Sequence, residues 1–273
     1  MSDFTTWRPD DAARLIAVPG PHDDKYSRGV LGVITGSDQY PGAAVLGVEA
    51  ALRTGVGMVR YLGGERVSTL VLQRRPEAVT SDGRVQAWLI GSGLDHASRD
   101  DATVARSTVA MAQALPTVLD GGALDLHEGA TGPVVITPHY GELARVLDVD
   151  KQRIVADPAT WARTAADELG VTVLLKGHST HVVGGGLSLV APSAPNWLAT
   201  AGAGDALAGI LGALVATHSA AVADDETLLA KLAATASVVH GLAAERASRG
   251  GPLTVLDLAH EVSGTIAGLL ASS

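Results

Sequence analysis

Three short segments carry residue types whose spacing suits chemistry on an anion. In ATAGAGDALAG (199–209), two glycines precede a helical pattern, so the backbone N–H groups around Gly202, Ala203 and Gly204 would point at one spot, an anion hole at a helix N-terminus. Asp205 stands at that spot. A carboxylate there either caps the helix or exchanges a proton with something bound, and the sequence leaves both readings open. In TPHYGE (137–142), His139 and Glu142 lie three residues apart at a helix start. They either face one cleft or belong to a proline-led turn in which Glu142 favours the helix dipole. In LLKGHSTH (174–181), Lys176 ends a strand before a tight turn, placed either to meet a phosphate or to project from an exposed hairpin.

Other chemistries find little support. Of the nine histidines only His178 and His181 are close, and no third ligand lies at a plausible spacing for zinc. GxGxxG with its acidic partner and GxxxxGK[ST] are both absent, and Ser37, Ser92 and Ser179 lack a GxSxG context. There is no Cys, hence no thiolate metal site or redox pair. Nine aromatic residues are too few for a nucleic-acid stacking platform. A net charge of −9 (20 Lys+Arg against 29 Asp+Glu) argues against nucleic acid or anionic membrane as partners, while leaving room for a local anion site. The opening MSDFTTWRPDD has neither the basic nor the apolar region of a secretory signal, which makes the cytoplasm the expected location. Positions 206–223 run for 18 residues without a formal charge, but Ala and Gly offer little apolar area, so a buried helix is expected there and not a membrane span.

The elements that must position these groups alternate along the chain. Short β-branched runs at 30–35, 56–62, 88–90, 117–119, 134–137, 171–176 and 181–183 read as strands, most of them apolar without alternation, as strands covered on both faces should be. Ala-rich patterns at 42–53, 100–114, 141–147, 158–169, 205–216, 227–248 and 255–270 read as helices, the last three consecutive. An α/β fold with a layered, mainly parallel sheet follows. No linker or repeat divides residues 1–273, so one domain is expected, with 8–24 and 220–226 as surface connections. Glycines gather where predicted strands end, in GVITGSDQYPGA (32–43), LIGSGLD (89–95) and the segment at 199–209, and the carboxyl ends of strands are where open α/β sheets bind ligands.

Taken in order, GVLGVITGSDQYPGAAVLGVEAALRTGVGMV, LIGSGLD, VLDGGAL, ITPHYGELARVL, VLLKGHSTHVV and NWLATAGAGDALAGILGAL resemble the successive motifs of the ADP- or ATP-dependent NAD(P)H-hydrate dehydratases, from about residue 24 to about residue 249. The resemblance implies a ribokinase-like three-layer fold with a central, mainly parallel sheet flanked by helices. It implies nucleotide-dependent dehydration, with ADP the usual bacterial co-substrate, of the S epimer of hydrated NADH or NADPH in nicotinamide cofactor repair. By matching motifs, Ala43, Gly93, His139 and Asp205 would contact the hydrated dinucleotide. Lys176, Gly177, His178, Ser179, Thr180 and Gly204 would contact the nucleotide. Asp205 would be the general base, the amides of Gly202, Ala203 and Gly204 the anion hole, and Glu142 the residue supporting Mg²⁺. A homo-oligomer, commonly a tetramer, and an epimerase on a separate protein are implied as well. Asp95 stands where the family usually has Gly, and Gly122 where a second acid is common after Asp120. Two rivals share these motifs: a ribokinase-like kinase of a vitamin-precursor alcohol, and a nucleotide-binding protein without turnover.

Overall fold

The structure is a computed structural model that describes residues 4–272. Its strands are β1 (Thr5–Thr6), β2 (Val30–Ile34), β3 (Met58–Tyr61), β4 (Ala87–Ile90), β5 (Thr117–Leu119), β6 (Val134–Ile136), β7 (Thr172–Leu175), β8 (Thr180–Gly184) and β9 (Leu187–Ala191). Its helices are α1 (Pro9–Ala13), α2 (Pro41–Thr54), α3 (Glu65–Arg74), α4 (Asp101–Met111), α5 (Tyr140–Val146), α6 (Lys151–Ala156), α7 (Pro158–Leu169), α8 (Ala203–Thr217), α9 (Ser219–Asp224), α10 (Leu228–Ser248) and α11 (Val255–Ser272). The strands form one sheet in the order β1-β9-β8-β7-β6-β5-β4-β2-β3, parallel except where β8 pairs with β7 and β9.

Alternate residues of each buried strand feed opposite layers, as the two-residue period of a strand requires. Leu31, Val33, Leu89 and Leu174 pack with α2, α8, α10 and α11. Val30, Ile34, Ile90 and Leu175 pack with α4, α5, α6 and α7. Two sequence expectations need correction. The segments read as surface connections contain α1 and most of α9, and the uncharged run at 206–223 is broken into α8 and α9 at His218. β1, β9, α3 and α6 were not foreseen. Among the described residues only α10 is long and apolar enough to cross a membrane, and 83% of its apolar window is buried inside the protein.

Two packing details position the site. From β2 the chain crosses to β3 at the sheet edge and then returns to β4 on the other side of β2, creating a switch point where loops diverge and leave a crevice. The helix over that crevice, α8, lies so close to α2 that a Cβ on Gly209 would stand 2.2 Å from the Gly47 carbonyl oxygen. Any side chain at 209 would therefore separate the pair.

Farther along α2, Glu49 is fully buried, and Arg53, Arg74 and Arg75 converge on it with Nε–Oε distances of 2.6, 3.0 and 2.5 Å. Burial alone would raise its pKa, but the three guanidiniums prevail and hold the carboxyl at about 2. This buried ion cluster fastens α3 to α2.

Candidate functional site

The carboxyl ends of β4, β5, β6 and β7 deliver four side chains to one point. Lys176, after β7, donates from Nζ to Asp120 Oδ1 at 2.8 Å. Thr137, after β6, donates to the same oxygen at 2.6 Å, and Ser92, after β4, donates to Oδ2 at 2.8 Å. Burial would push the Asp120 carboxyl up, yet the charge and hydrogen bond of Lys176 and the two hydroxyls leave it below the usual carboxylate range. Lys176 is likewise opposed by burial and held protonated by Asp120 and Glu142. The exposed-hairpin reading of Lys176 is thus half right. It does precede the β7–β8 hairpin, but its ammonium is drawn inward by a carboxylate that fixes its position.

Across from this cluster, α8 starts at Gly202, which takes φ +92°, a left-handed value that favours glycine. The N-cap has no side-chain hydrogen bond, and among the described residues the amides of Gly204 and Asp205 have no partner. The N-cap reading of Asp205 is overturned, because Gly202 is the cap and Asp205 lies in the first helical turn. Its carboxyl is pushed up to about 7, first by burial, then by the negative charges of Asp120 and Glu142, with Lys176 opposing. At neutral pH such a group can both accept and return a proton.

His139 and Glu142 form a reciprocal cap on α5. His139 Nδ1 accepts from the amides of Gly141 and Glu142 at 3.0 Å, while Glu142 Oε2 accepts from the His139 amide at 2.8 Å. The proton therefore sits on Nε2, which lies 3.6 Å from Glu142 Oε1. Glu142 Oε2 is also 3.9 Å from Lys176 Nζ. Capping and facing the cleft, posed as alternatives by the sequence, coexist here.

Two cavities flank the cluster. One of 480 Å³ is lined by Tyr40, Gly93, Asp95, Glu142 and Asp205, among others. The other, of 600 Å³, is lined by His139, Gly177, His178, Thr180, Leu198 and Ala203, among others. Lys176 and Gly204 line both, so the cavities meet at the anion hole. His139, expected with the dinucleotide set, is on the wall of the larger cavity. Ala43 lies behind Gly93, where a Cβ would be 2.5 Å from that of Ala43. Ser179 sits in the turn outside both sets of walls. A separate 510 Å³ cavity near Pro133 and Gly185, at the amino ends of β6 and β7, gathers none of these groups. Sequence reasoning assigned no role to Ser92, Asp120, Thr137 or His240. Only the strand-terminal acid of VLDGGAL gave a signal.

Comparison with known proteins fits this geometry. The family model described as NAD(P)H-hydrate dehydratase matches residues 31–268. The chain belongs to that family. It is 42% identical over 229 residues to a bifunctional NAD(P)H-hydrate repair enzyme of Mycobacterium tuberculosis, covering 79% of this chain and 47% of that protein. It is 33% identical over 230 residues to an ADP-dependent (S)-NAD(P)H-hydrate dehydratase of Xanthomonas campestris, covering 75% and 78%. The chain spans about half the length of the bifunctional relatives it matches. A Bacillus subtilis ADP/ATP-dependent NAD(P)H-hydrate dehydratase, crystallised with ATP and Mg²⁺, superposes with a TM-score of 0.85 at 23% identity, covering 98% of this chain and all of that one. The ribokinase-like fold of this NAD(P)H-hydrate dehydratase family member is thereby shown.

Proposed function

We propose that the chain is a nucleotide-dependent dehydratase of the S epimer of hydrated NADH or NADPH, using ADP or ATP. The observation that carries this reading is the junction of two cavities at Gly204 and Lys176, with a carboxyl poised near neutrality beside it. The 480 Å³ cavity would take the hydrated nicotinamide, with Gly93 forming its close wall and Ala43 backing Gly93. The 600 Å³ cavity would take the nucleotide, held by the turn from Lys176 to Thr180, with its terminal phosphate against the free amide of Gly204. The relatives are dehydratases of hydrated NAD(P)H that depend on a nucleotide, which supports a site with these two occupants.

Chemistry at the junction then follows. Asp205 accepts the proton of the substrate hydroxyl as its oxygen takes the terminal phosphoryl group of the nucleotide, the P–O bond to that group breaks and the nucleotide leaves one phosphate shorter, and the amides at the α8 N-terminus stabilise charge on the transferring group. The C–O bond breaks with phosphate as leaving group while the ring nitrogen supplies the electron pair, and the cation so formed loses a proton from the adjacent ring carbon to water, restoring the dihydronicotinamide. Lys176, fixed by Asp120, neutralises phosphate charge without needing to move. The residues fit magnesium held chiefly by phosphates and water. Glu142 offers a hard oxygen, and among the described residues no cluster of three acids or histidines would cage an ion alone. When bound, the ion would offset the phosphate charge.

The test is incubation with hydrated NADH, ADP and Mg²⁺. Return of NADH fluorescence supports the dehydratase. A stable phosphorylated alcohol from a vitamin-precursor substrate would identify the kinase instead, and binding without turnover would overturn both.

A further inference from the structure

One buried polar group in the larger cavity has no task in this scheme. His240, on α10, is 6% exposed and lines the 600 Å³ cavity, yet its Nε2 has no hydrogen-bond partner. Buried polar atoms without partners are rare in folded proteins, and one on a cavity wall is a feature that a ligand can satisfy. The ring lies against the backbone of Ala203, the first residue of α8, and is near enough to feel the charge of Lys176. It therefore stands close to the phosphate end, about where the sugar of a nucleotide would lie if its phosphates met Gly204. Burial pushes the ring down to about 4, so it is neutral at physiological pH and offers one donor and one acceptor. One ring nitrogen is engaged by the Ala203 backbone, which leaves Nε2 to accept the proton of a sugar hydroxyl.

We infer that His240 is a specificity-determining residue that hydrogen-bonds a ribose hydroxyl of the bound nucleotide and so selects ribonucleotides over deoxyribonucleotides. This rests on the assignment of the 600 Å³ cavity to the nucleotide. The test is calorimetric titration of the full chain, with Mg²⁺, against ADP, 2′-deoxy-ADP, 3′-deoxy-ADP and the 6-oxo analogue IDP. The wild-type protein should bind one deoxy analogue about tenfold more weakly than ADP. His240→Phe, which keeps the ring area and removes both nitrogens, should bind ADP as weakly as that analogue and no longer distinguish the two. Equal wild-type affinity for ADP and both deoxy analogues overturns the inference with no need of a variant. Discrimination against IDP alone overturns it in favour of a base contact, and discrimination that survives in His240→Phe removes this residue from the role. Failure of the wild-type protein to bind ADP or ATP at all would instead sink the nucleotide site itself.

Discussion

Two carboxylates, the fully buried Glu49 and the half-buried Asp205, show how one chemical group is put to opposite uses. Glu49 has three guanidiniums on its two oxygens and stays ionised down to about pH 2. Asp205 is surrounded by more negative than positive charge and is raised to about 7. A carboxylate saturated with partners serves as a fastener, whereas one deprived of them becomes a proton acceptor in waiting. The difference lies in the neighbours, since both side chains sit on α-helices in the same layer.

The comparison breaks most visibly at Asp205. Asp205→Asn should lower turnover by about 10² to 10⁴ while ADP still binds, which single-turnover kinetics and calorimetry would check. Asn cannot accept the proton, and since Gly202 is the cap no capping is lost. In the wild-type protein, activity should rise with pH through about 7, because the base works ionised. The raised native value also means that the folded protein binds a proton which the unfolded chain has released. This unfavourable contribution grows as pH climbs from 3.8 to about 7. Asp205→Asn should consequently be more stable than wild type at pH 8, by on the order of 1–4 kcal/mol in urea unfolding. A less stable variant would contradict the contrast drawn here.

Glu49→Gln should do the reverse. It strands three guanidiniums around a neutral amide and should cost about 3–5 kcal/mol of stability with kcat unchanged under folded conditions, as measured by urea unfolding and steady-state kinetics. The native value lies below the ordinary 4.5, so the stabilising contribution is full above that pH and is lost as pH falls towards about 2. Acid unfolding of the Gln variant should accordingly be flatter across that window.

Smaller effects sharpen the contrast. A Cβ on Gly204 would meet only Lys176 Nζ, at 3.2 Å, a contact that a shift of a few tenths of an ångström relieves. Gly204→Val should fold with its melting temperature nearly intact and bind ADP at least about tenfold more weakly, as judged by calorimetry. His139→Ala removes the α5 cap, a loss of about 1 kcal/mol, and should raise the requirement for hydrated NADH several-fold. A loss confined to nucleotide affinity would place His139 wholly with the larger cavity.

Much of the fold was legible because periodicity is local. β5 and α7 fall where the pattern put them, and the glycine clusters do mark strand ends that meet. The unforeseen elements carry weak local signals: α3 is largely polar, and β9, a short strand closing a hairpin, follows two glycines that hide its start. Within the site, Gly204, Asp205, Lys176 and Glu142 were readable as motifs. Asp120 was not, because a lone acid after a strand does not reveal that Lys176, 56 residues later, will fold onto it. The Glu49 cluster escaped for the same reason, since Arg74 and Arg75 are 25 and 26 residues away and a helical Glu reads as surface.

The contact between Gly209 and Gly47 has a consequence for inherited variation. Position 209 admits no methyl group between the helices, so a Gly209→Ala change would lever α2 and α8 apart little more than one turn from Asp205. The lever's far end is the α8 N-terminus, where an ångström of displacement can cost a hundredfold in rate. Such an allele would look like an active-site lesion in every assay while altering no residue that a substrate touches, and a compensating change would be sought in the spacing of the two helices before the catalytic groups.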